Sequence, residues 1–156
     1  MTTIAVDDTM ISADGLRTTG SEPVGWSTQK LHYRDHNGHR CVYAVTGEGY
    51  MAPQIIDWWE AGAKPGLQPM PPKDGSWTLI IVDGTGVRSV NHDSPYPQEW
   101  ESPQAWGSGS HYALGAMHAG QSAERAVEIA SRLDLYTGGK IQSIPRAWLR
   151  QQQAAE

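Results

Sequence analysis

The segment SWTLIIVDGTGVRSV, at residues 76–90, limits the possible folds of this chain most strongly. It contains the continuous apolar run Leu79-Ile80-Ile81-Val82, which is typical of a strand buried on both faces. The turn sequence DGTG and a second β-type run follow, so the segment is predicted to be a hairpin. We expect such a strand inside a layered fold, where other elements cover each of its faces.

The first third of the chain is also rich in strand signals. Residues 4–6 and 10–13 are short β-type runs, and the Asp7-Asp8 pair between them predicts a turn. Asn37-Gly38 is the strongest hairpin signal, because both residues tolerate positive φ. We therefore expect residues 31–34 and 39–45 to pair as antiparallel strands.

The helical signals occur in separate blocks. Residues 49–62 change to helical periodicity, with Pro53 in the predicted first turn and Gly62 as the stop. Residues 121–134 form the clearest helix, with Ser122 as its N-cap and an apolar stripe along one face. The remaining predictions are a helix at residues 110–119, a C-terminal helix at residues 144–156 that frays into a polar tail, and a proline-rich loop at 63–75.

The predicted order is strands, a helix, strands, two helices, a strand and a last helix. Blocks of this kind favour an α+β layered fold over an alternating, doubly wound one. At 156 residues the chain is expected to be a single domain over residues 1–156, with a polar tail from about residue 150.

Composition excludes several classes of function. The net charge is −5, and the 12 lysines and arginines are not clustered, so nucleic acid is not an expected partner. Cys41 is the single cysteine, which excludes an intramolecular disulfide. The longest apolar run is too short to cross a membrane, and the N-terminal residues do not resemble a secretory signal. We therefore expect a cytoplasmic protein that does not associate with membranes.

Three motifs favour structural interpretations. Asp35, His36 and His39 lie near one turn and are candidate metal ligands, but polar turn residues explain them better. The sequence DGTG lacks the lysine and the following helix of a phosphate loop, so it is interpreted as a hairpin turn. Cys41 lies in a predicted strand, where a buried, inert thiol is expected.

Thr2 directly follows the initiator methionine. Methionine is readily removed before a small residue, and the mature chain would then begin with a threonine that carries both a hydroxyl and a free amine. An α-amine has a pKa of roughly 8 and is a built-in proton acceptor for such a nucleophile. By itself, however, the sequence TT is explained better as the start of a β-strand, which threonine favours.

Five segments together carry a family resemblance. Thr2 is followed by ISADG, which places Asp14 at a strand end, and by STQKL, which places Lys30 at a strand start. AVTGEG places Gly47 before a helix, and Gly107-Ser108-Gly109 opens another helix. With DLYTGGKIQ at residues 134–142, this order resembles the proteasome β-subunit family, whose simplest bacterial member is HslV. The resemblance covers nearly the whole chain.

The resemblance implies the four-layer αββα sandwich of N-terminal nucleophile hydrolases and a threonine-type endopeptidase. It implies that Thr2 attacks the scissile carbonyl, that Lys30 lowers the proton affinity of the Thr2 hydroxyl or accepts its proton, and that Asp14 holds Lys30. The other implied roles are oxyanion donation by the Gly47 amide and a hydrogen-bonding shell around the Thr2 amine from Ser108, Asp134 and Thr137. Thr137 departs from the serine of the family pattern but keeps the hydroxyl, and the segment between Ser108 and Asp134 is shorter than in archaeal and eukaryotic β-subunits.

The resemblance also implies polypeptide substrates, a pocket shaped by Arg17, Val45 and Gly49, and no metal or organic cofactor. Family members hide their sites inside assemblies, so a homo-oligomer in rings or an open helical stack is expected. An ATP-dependent unfoldase is a further possible partner. Trp58 and Trp59 are either an assembly surface or core residues.

Two alternatives remain at the level of sequence. Other N-terminal nucleophile hydrolases cleave small amides, and the fold alone does not fix the substrate. A catalytically silent scaffold subunit, of the kind found among proteasomal α-type chains, is the second. Lys30 and Gly107-Ser108-Gly109 favour the peptidase over the amidase, and Thr2 together with Lys30 favours an active subunit over the scaffold.

Overall fold

The computed structural model describes residues 2–36 and 38–150, with the backbone alone at His36. The predicted removal of Met1, the turn residue Asn37 and the predicted polar tail at residues 151–156 lie outside the described residues.

The order of elements confirms the predicted succession of strands and helices. The strands are β1 (Thr3–Val6), β2 (Met10–Ala13), β3 (Arg17–Thr19), β4 (Glu22–Gly25), β5 (His32–His36), β6 (His39–Gly47), β7 (Trp77–Asp83), β8 (Val87–Asn91), β9 (Ser94–Trp100), β10 (Gln104–Gly107) and β11 (Gln142–Pro145). The helices are α1 (Ala52–Glu60), α2 (Ser110–His118), α3 (Ala123–Leu133) and α4 (Ala147–Arg150), and a 3-10 turn at Gly49–Met51 leads into α1.

The strands form two main antiparallel sheets. One is four-stranded, in the order β10-β1-β2-β11, and the other is five-stranded, in the order β5-β6-β7-β8-β9. The apolar run Leu79–Val82 lies in β7, the central strand of the larger sheet, as its predicted burial requires. Strands β3 and β4 form a separate hairpin.

Three apolar clusters lie between the layers of the fold, because alternate side chains of each strand point to opposite faces of its sheet. One cluster joins α1 to one face of the five-stranded sheet, and includes Ile55, Leu79 and Ile81. A second lies between the two sheets, where Ile80 and Val82 of β7 meet residues of β1 and β2. The third joins α2 and α3 to the other face of the four-stranded sheet. The predicted α+β class is therefore confirmed.

Several boundaries differ from the predictions. The strand expected at residues 31–34 is β5, which begins at His32, and its partner β6 continues to Gly47. Helix α1 has Pro53 in its first turn, and the Ser122 hydroxyl caps α3 by accepting from the Arg125 amide at 3.1 Å, as predicted. Strands β3, β4, β9 and β10 were not predicted. The predicted start of the C-terminal helix at Ile144 is wrong, because Ile144 and Pro145 pair with β2 as part of β11, and the helix is described only as the short α4.

The two neighbouring tryptophans of α1 differ in environment. Trp58 is 8% exposed and belongs to the core, with its indole N–H donating to the Lys64 carbonyl at 3.0 Å. Trp59 packs partly against the same cluster, and the Arg88 guanidinium lies 5.3 Å from its ring centroid. Trp58 is therefore a core residue and not part of an assembly surface. Among the described residues, no helix is long and apolar enough to cross a membrane.

Candidate active site

Thr2 lies immediately before β1, a central strand that is flanked by β10 and β2. The residue is 7% exposed, and its carbonyl accepts a hydrogen bond from the Ser108 amide at 2.9 Å. Gly107 precedes Ser108 with a φ of 100°, and a Cβ at this position would collide with the Thr2 carbonyl. Glycine is therefore required for the close approach of β10 to Thr2.

Asp14 and Lys30 form a buried ion pair next to β1. Asp14 follows β2 and is fully buried, and Lys30 is 9% exposed two residues before β5. The Lys30 Nζ lies 2.8 Å from Asp14 Oδ1. The same carboxylate accepts from the Thr3 amide at 3.1 Å and from the Gly138 amide at 3.0 Å. Asp14 therefore has a cation and two backbone donors in place of water.

Burial lowers the pKa of Lys30, and the Asp14 carboxylate partly opposes this effect. The Lys30 backbone is held by a separate contact, in which its amide donates to Gln142 Oε1 at 2.8 Å. A lysine with a lowered pKa gives up its proton more readily than an exposed one. The pair therefore holds the Lys30 cation in a fixed position.

Asp134 is the centre of a second cluster, just after α3. Its Oδ2 accepts from the Ser108 hydroxyl at 2.6 Å and from the Thr137 hydroxyl at 2.5 Å. Burial raises the pKa of Asp134, but the hydrogen bonds from Ser108, Thr137 and the Tyr136 amide outweigh it and hold the pKa below its usual value. The carboxylate is therefore ionised near neutral pH. Thr137 makes this contact through its hydroxyl, the group that it has in common with the serine of the family pattern.

The turn at residues 134–138 joins the two clusters. Thr137 donates to Asp134, and the next residue, Gly138, donates its amide to Asp14. Thr3 lies between the clusters, because its amide reaches Asp14 and its hydroxyl lies 2.6 Å from the Thr137 hydroxyl. Thr3 and Gly138 were not predicted as site residues. In the sequence, Thr3 is indistinguishable from an ordinary strand former.

A cavity of about 780 Å³ opens next to Thr2. Lys30 and Gly47 line it together with Thr2, and so do all three predicted pocket residues, Arg17, Val45 and Gly49. Among the described residues, the cavity lining does not include Asp14, Ser108, Asp134 or Thr137. The predicted site thus divides into a group that lines the cavity and a group that supports it.

Gly47 ends β6 at the cavity wall. Its φ is 86°, and a Cβ there would collide with the Ser76 carbonyl. The following amide, that of Glu48, already donates to the same carbonyl at 2.9 Å. Both the backbone conformation and the space therefore require glycine at position 47.

The DGTG motif and Cys41 have the structural roles that the sequence predicts. Asp83 of the DGTG turn accepts from the amides of Thr85 at 2.8 Å and Gly86 at 3.1 Å, which confirms the hairpin turn. Cys41 is buried, and burial raises the pKa of its thiol, as expected for an inert cysteine.

Of the candidate metal ligands, Asp35 and His39 have structural partners, and the side chain of His36 lies outside the described residues. Asp35 pairs with Arg40 at 3.5 Å. The ligand atoms of His39, Cys41 and Asp83 lie within 4.8 Å of one another, but the Asp83 carboxylate is already paired with Arg88 at 3.0 Å. An ion pair explains this group without a metal ion.

Comparison with solved structures gives several strong matches. The chain is similar to the BPH protein of Thiobacillus denitrificans with 23% identity and a TM-score of 0.67, over 92% of this chain and 96% of that chain. The same protein in complex with epoxomicin matches with 23% identity and a TM-score of 0.66, over the same shares of both chains. HslV from Trypanosoma brucei matches with 17% identity and a TM-score of 0.72, over 92% of this chain and 97% of that chain.

The chain therefore has the fold of HslV and BPH, which confirms the resemblance to proteasome β-subunits at the level of fold. No protein-family model matches the sequence. No curated protein matches it either. The fold alone does not fix an activity.

Proposed function

We propose that this chain is a threonine-type endopeptidase subunit whose nucleophile is Thr2 after removal of Met1. The observation that carries the proposal is that Thr2, Lys30 and Gly47 line one cavity, while the Lys30 ammonium is fixed by buried Asp14 at 2.8 Å. These residues supply a nucleophile, a cation and an oxyanion donor at a surface where a substrate has room to bind.

In the proposed reaction, the Thr2 Oγ attacks the carbonyl carbon of the scissile peptide bond and its proton passes to the Thr2 amine. The positive charge of Lys30 stabilises the developing alkoxide, since a threonine hydroxyl titrates far above neutral pH. The Gly47 amide donates to the oxyanion of the tetrahedral intermediate, a contribution on the order of 3 kcal/mol.

Collapse of the intermediate breaks the C–N bond and leaves an ester on Thr2. The protonated amine gives its proton to the leaving nitrogen, so the departing product is a neutral amine. Water, activated by the same amine, then attacks the ester, releases the carboxylic acid product and restores the Thr2 hydroxyl. Every proton in this cycle has a donor and an acceptor among the residues named, without a metal or organic cofactor.

Asp14, Ser108, Asp134 and Thr137 are proposed to position the reacting groups. Asp14 orients Lys30. The hydroxyls of Ser108 and Thr137, which donate to Asp134, surround the amine that removal of Met1 would create. The cavity residues Arg17, Val45 and Gly49 are proposed to contact the substrate side chain next to the scissile bond.

We further propose that residues 1–156 form one domain with the four-layer αββα arrangement. The three clusters that join α1 to the five-stranded sheet, sheet to sheet, and the four-stranded sheet to α2 and α3 support this order. Assembly into rings or an open helical stack, delivery of polypeptides by an unfoldase and a cytoplasmic location remain predictions from the family resemblance.

The test is the intact mass of the purified chain before and after treatment with epoxomicin, the compound bound to BPH in one of the matching structures. The expected result is loss of Met1 followed by one adduct per chain, because an epoxyketone reacts with both the amine and the hydroxyl of an N-terminal threonine. Thr2→Ala and Lys30→Ala should abolish or strongly slow adduct formation.

The matched control is Lys73→Ala, which removes an exposed lysine in the loop before β7 and should leave the adduct unchanged. Loss of Met1 without an adduct would instead favour the silent scaffold subunit. An adduct together with cleavage of small amides but not of peptides would favour the amidase.

A further inference from the structure

Thr3 connects the Asp14 cluster to the Asp134 cluster: its amide bonds to the first and its hydroxyl bonds to the second. Among the described residues, it is the only one that does so with its own amide and hydroxyl. It opens β1 and is 0% exposed. Its amide donates to Asp14 at 3.1 Å. Its Oγ1 lies 3.1 Å from the Gly109 amide and 2.6 Å from the Thr137 hydroxyl. The catalytic cycle proposed above does not use this hydroxyl.

The direction of each hydrogen bond follows from counting protons. A backbone N–H only donates, so Thr3 Oγ1 accepts from Gly109, and an ionised carboxylate only accepts. Thr137 has one hydroxyl proton, which it donates to Asp134 at 2.5 Å. Its oxygen must therefore accept in the contact with Thr3, and Thr3 is the donor.

We infer that Thr3 is a positioning residue whose hydroxyl proton fixes a one-way chain of hydrogen bonds from the Gly109 amide through Thr3 and Thr137 to Asp134. The Ser108 hydroxyl donates to the same carboxylate oxygen at 2.6 Å. With their protons committed to Asp134, both Thr137 and Ser108 have only lone pairs left to offer.

This inference rests on the proposed function, because it concerns the amine that removal of Met1 would expose at Thr2. A neutral amine has two N–H groups and one lone pair. When Ser108 and Thr137 accept from its N–H groups, its lone pair is left for the proton of the Thr2 hydroxyl. Without the Thr3 donor, the Thr137 hydroxyl is free to turn and to occupy that lone pair instead.

The packing around Thr3 agrees with this role. A Cβ at Gly109 would collide with Thr3 Oγ1 and would lie 2.9 Å from Thr137 Oγ1, so the loop is closed directly over the pair of hydroxyls. Valine keeps the branched shape of threonine without the hydroxyl, and serine keeps the hydroxyl, so the two substitutions separate shape from hydrogen bonding.

The first test does not need activity. The titration of the Asp134 carboxyl is followed by NMR in the wild type, Thr3→Val and Thr3→Ser. The midpoint should rise in Thr3→Val, because the bond from Thr137 to Asp134 is no longer enforced, and should stay at the wild-type value in Thr3→Ser. An unchanged midpoint in Thr3→Val, or an equal rise in both variants, would overturn the inference.

The second test uses the pH profile of peptide cleavage by chains shown by mass to have lost Met1. Thr3→Val should lower kcat by about 10-fold, with KM nearly unchanged, and move the acid limb of the profile to lower pH. Thr3→Ser should restore both. The double variant Thr3→Val/Thr137→Val should be no slower than Thr137→Val, because both residues act through one chain. Additive losses would contradict the inference.

Two outcomes separate this inference from the proposed function. A wild type that loses Met1 but forms no epoxomicin adduct, combined with an Asp134 midpoint that moves only in Thr3→Val, refutes the peptidase but supports the hydrogen-bond chain. An active wild type whose profile and midpoint are unaffected by Thr3→Val supports the peptidase and refutes the chain. If Thr3→Val does not fold, Thr3→Cys takes its place in the comparison with Thr3→Ser. Cysteine has nearly the same shape as serine, but its S–H is only a weak donor.

Discussion

Asp14 and Asp134 each follow a regular element and lie on either side of Thr3, but they bind different donors. Asp14 is fully buried and holds the Lys30 ammonium together with two backbone amides. Asp134 is half-buried and binds the hydroxyls of Ser108 and Thr137. A fully buried carboxylate needs a counter-charge, whereas a half-buried one is satisfied by hydroxyls and water. The Asp14 region therefore holds a positive charge in place, and the Asp134 region sets the donor direction of two hydroxyl groups.

The largest expected effect comes from removing the cation of the Asp14 region. Lys30→Met keeps most of the side-chain volume but leaves Asp14 as a buried charge without its cation, so we expect a loss of about 3 kcal/mol in the free energy of unfolding. Peptide cleavage should fall by about 10³-fold. Urea unfolding and kcat/KM measure the two effects.

The control is Lys73→Met, at an exposed lysine, which should change stability by less than about 0.5 kcal/mol. Equal urea midpoints for Lys30→Met and the wild type would show that Asp14 does not depend on this cation.

The next largest effect tests the tight packing around the hydroxyls. Gly109→Ala places a methyl group against Thr3 Oγ1 and Thr137 Oγ1, so it should destabilise the fold by about 2 kcal/mol. Gly115→Ala is the matched control, since this glycine lies in α2 with no atom within 4 Å of the added Cβ. That control should gain about 0.5–1 kcal/mol from helix propensity. Thermal unfolding of both variants decides whether the loop over Thr3 is as closed as described.

Ser108→Ala is expected to cost about 1 kcal/mol, because it removes one of the two hydroxyl donors to Asp134. Ser122→Ala should cost a similar amount by removing the N-cap of α3. The two variants should differ in activity, since only Ser108 borders the proposed amine. If Ser108→Ala and Ser122→Ala have equal kcat values at equal stability, Ser108 has no role in the reaction.

The smallest effect is the pH dependence of the Asp134 region. The pKa of Asp134 is lower in the fold than its ordinary value of 3.8, so its stabilising contribution is present above that value and is lost as the pH falls through the lowered pKa. The stability difference between the wild type and Asp134→Asn should therefore shrink between about pH 6 and about pH 2. Because Asp134 is partly exposed, we expect less than about 1 kcal/mol. A difference that grows on acidification would contradict the sign.

Local sequence was sufficient for the parts of this fold that have local causes. The pairing of β5 with β6, the buried strand β7 and the Ser122 cap are each determined within a few residues, and all were predicted. Strands β3, β4 and β9 were missed for an equally physical reason. They are largely exposed, so they lack the apolar alternation that reveals a strand, and β9 contains Pro95 and Pro97, which argue against one.

The site divides in the same way. Thr2, Asp14, Lys30 and Gly47 were predicted through the family resemblance, and the structure brings them to one region. Thr3 was not predicted, because its partner Thr137 lies 134 positions away in the chain and nothing in the sequence TT indicates which hydroxyl is bonded. Contacts of that length depend on the finished packing of sheet and turn, and not on local preference.

The central place of β1 has a consequence for how the molecule opens. Residues close to a terminus usually fray, but β1 is bonded along both edges, to β10 and to β2, directly after Thr2. Its amides should therefore exchange with deuterium only when the whole sheet separates, at close to the rate set by global unfolding. In such an arrangement Thr2 should keep its position for as long as the sheet is intact, so that a substrate would have to come to the proposed nucleophile.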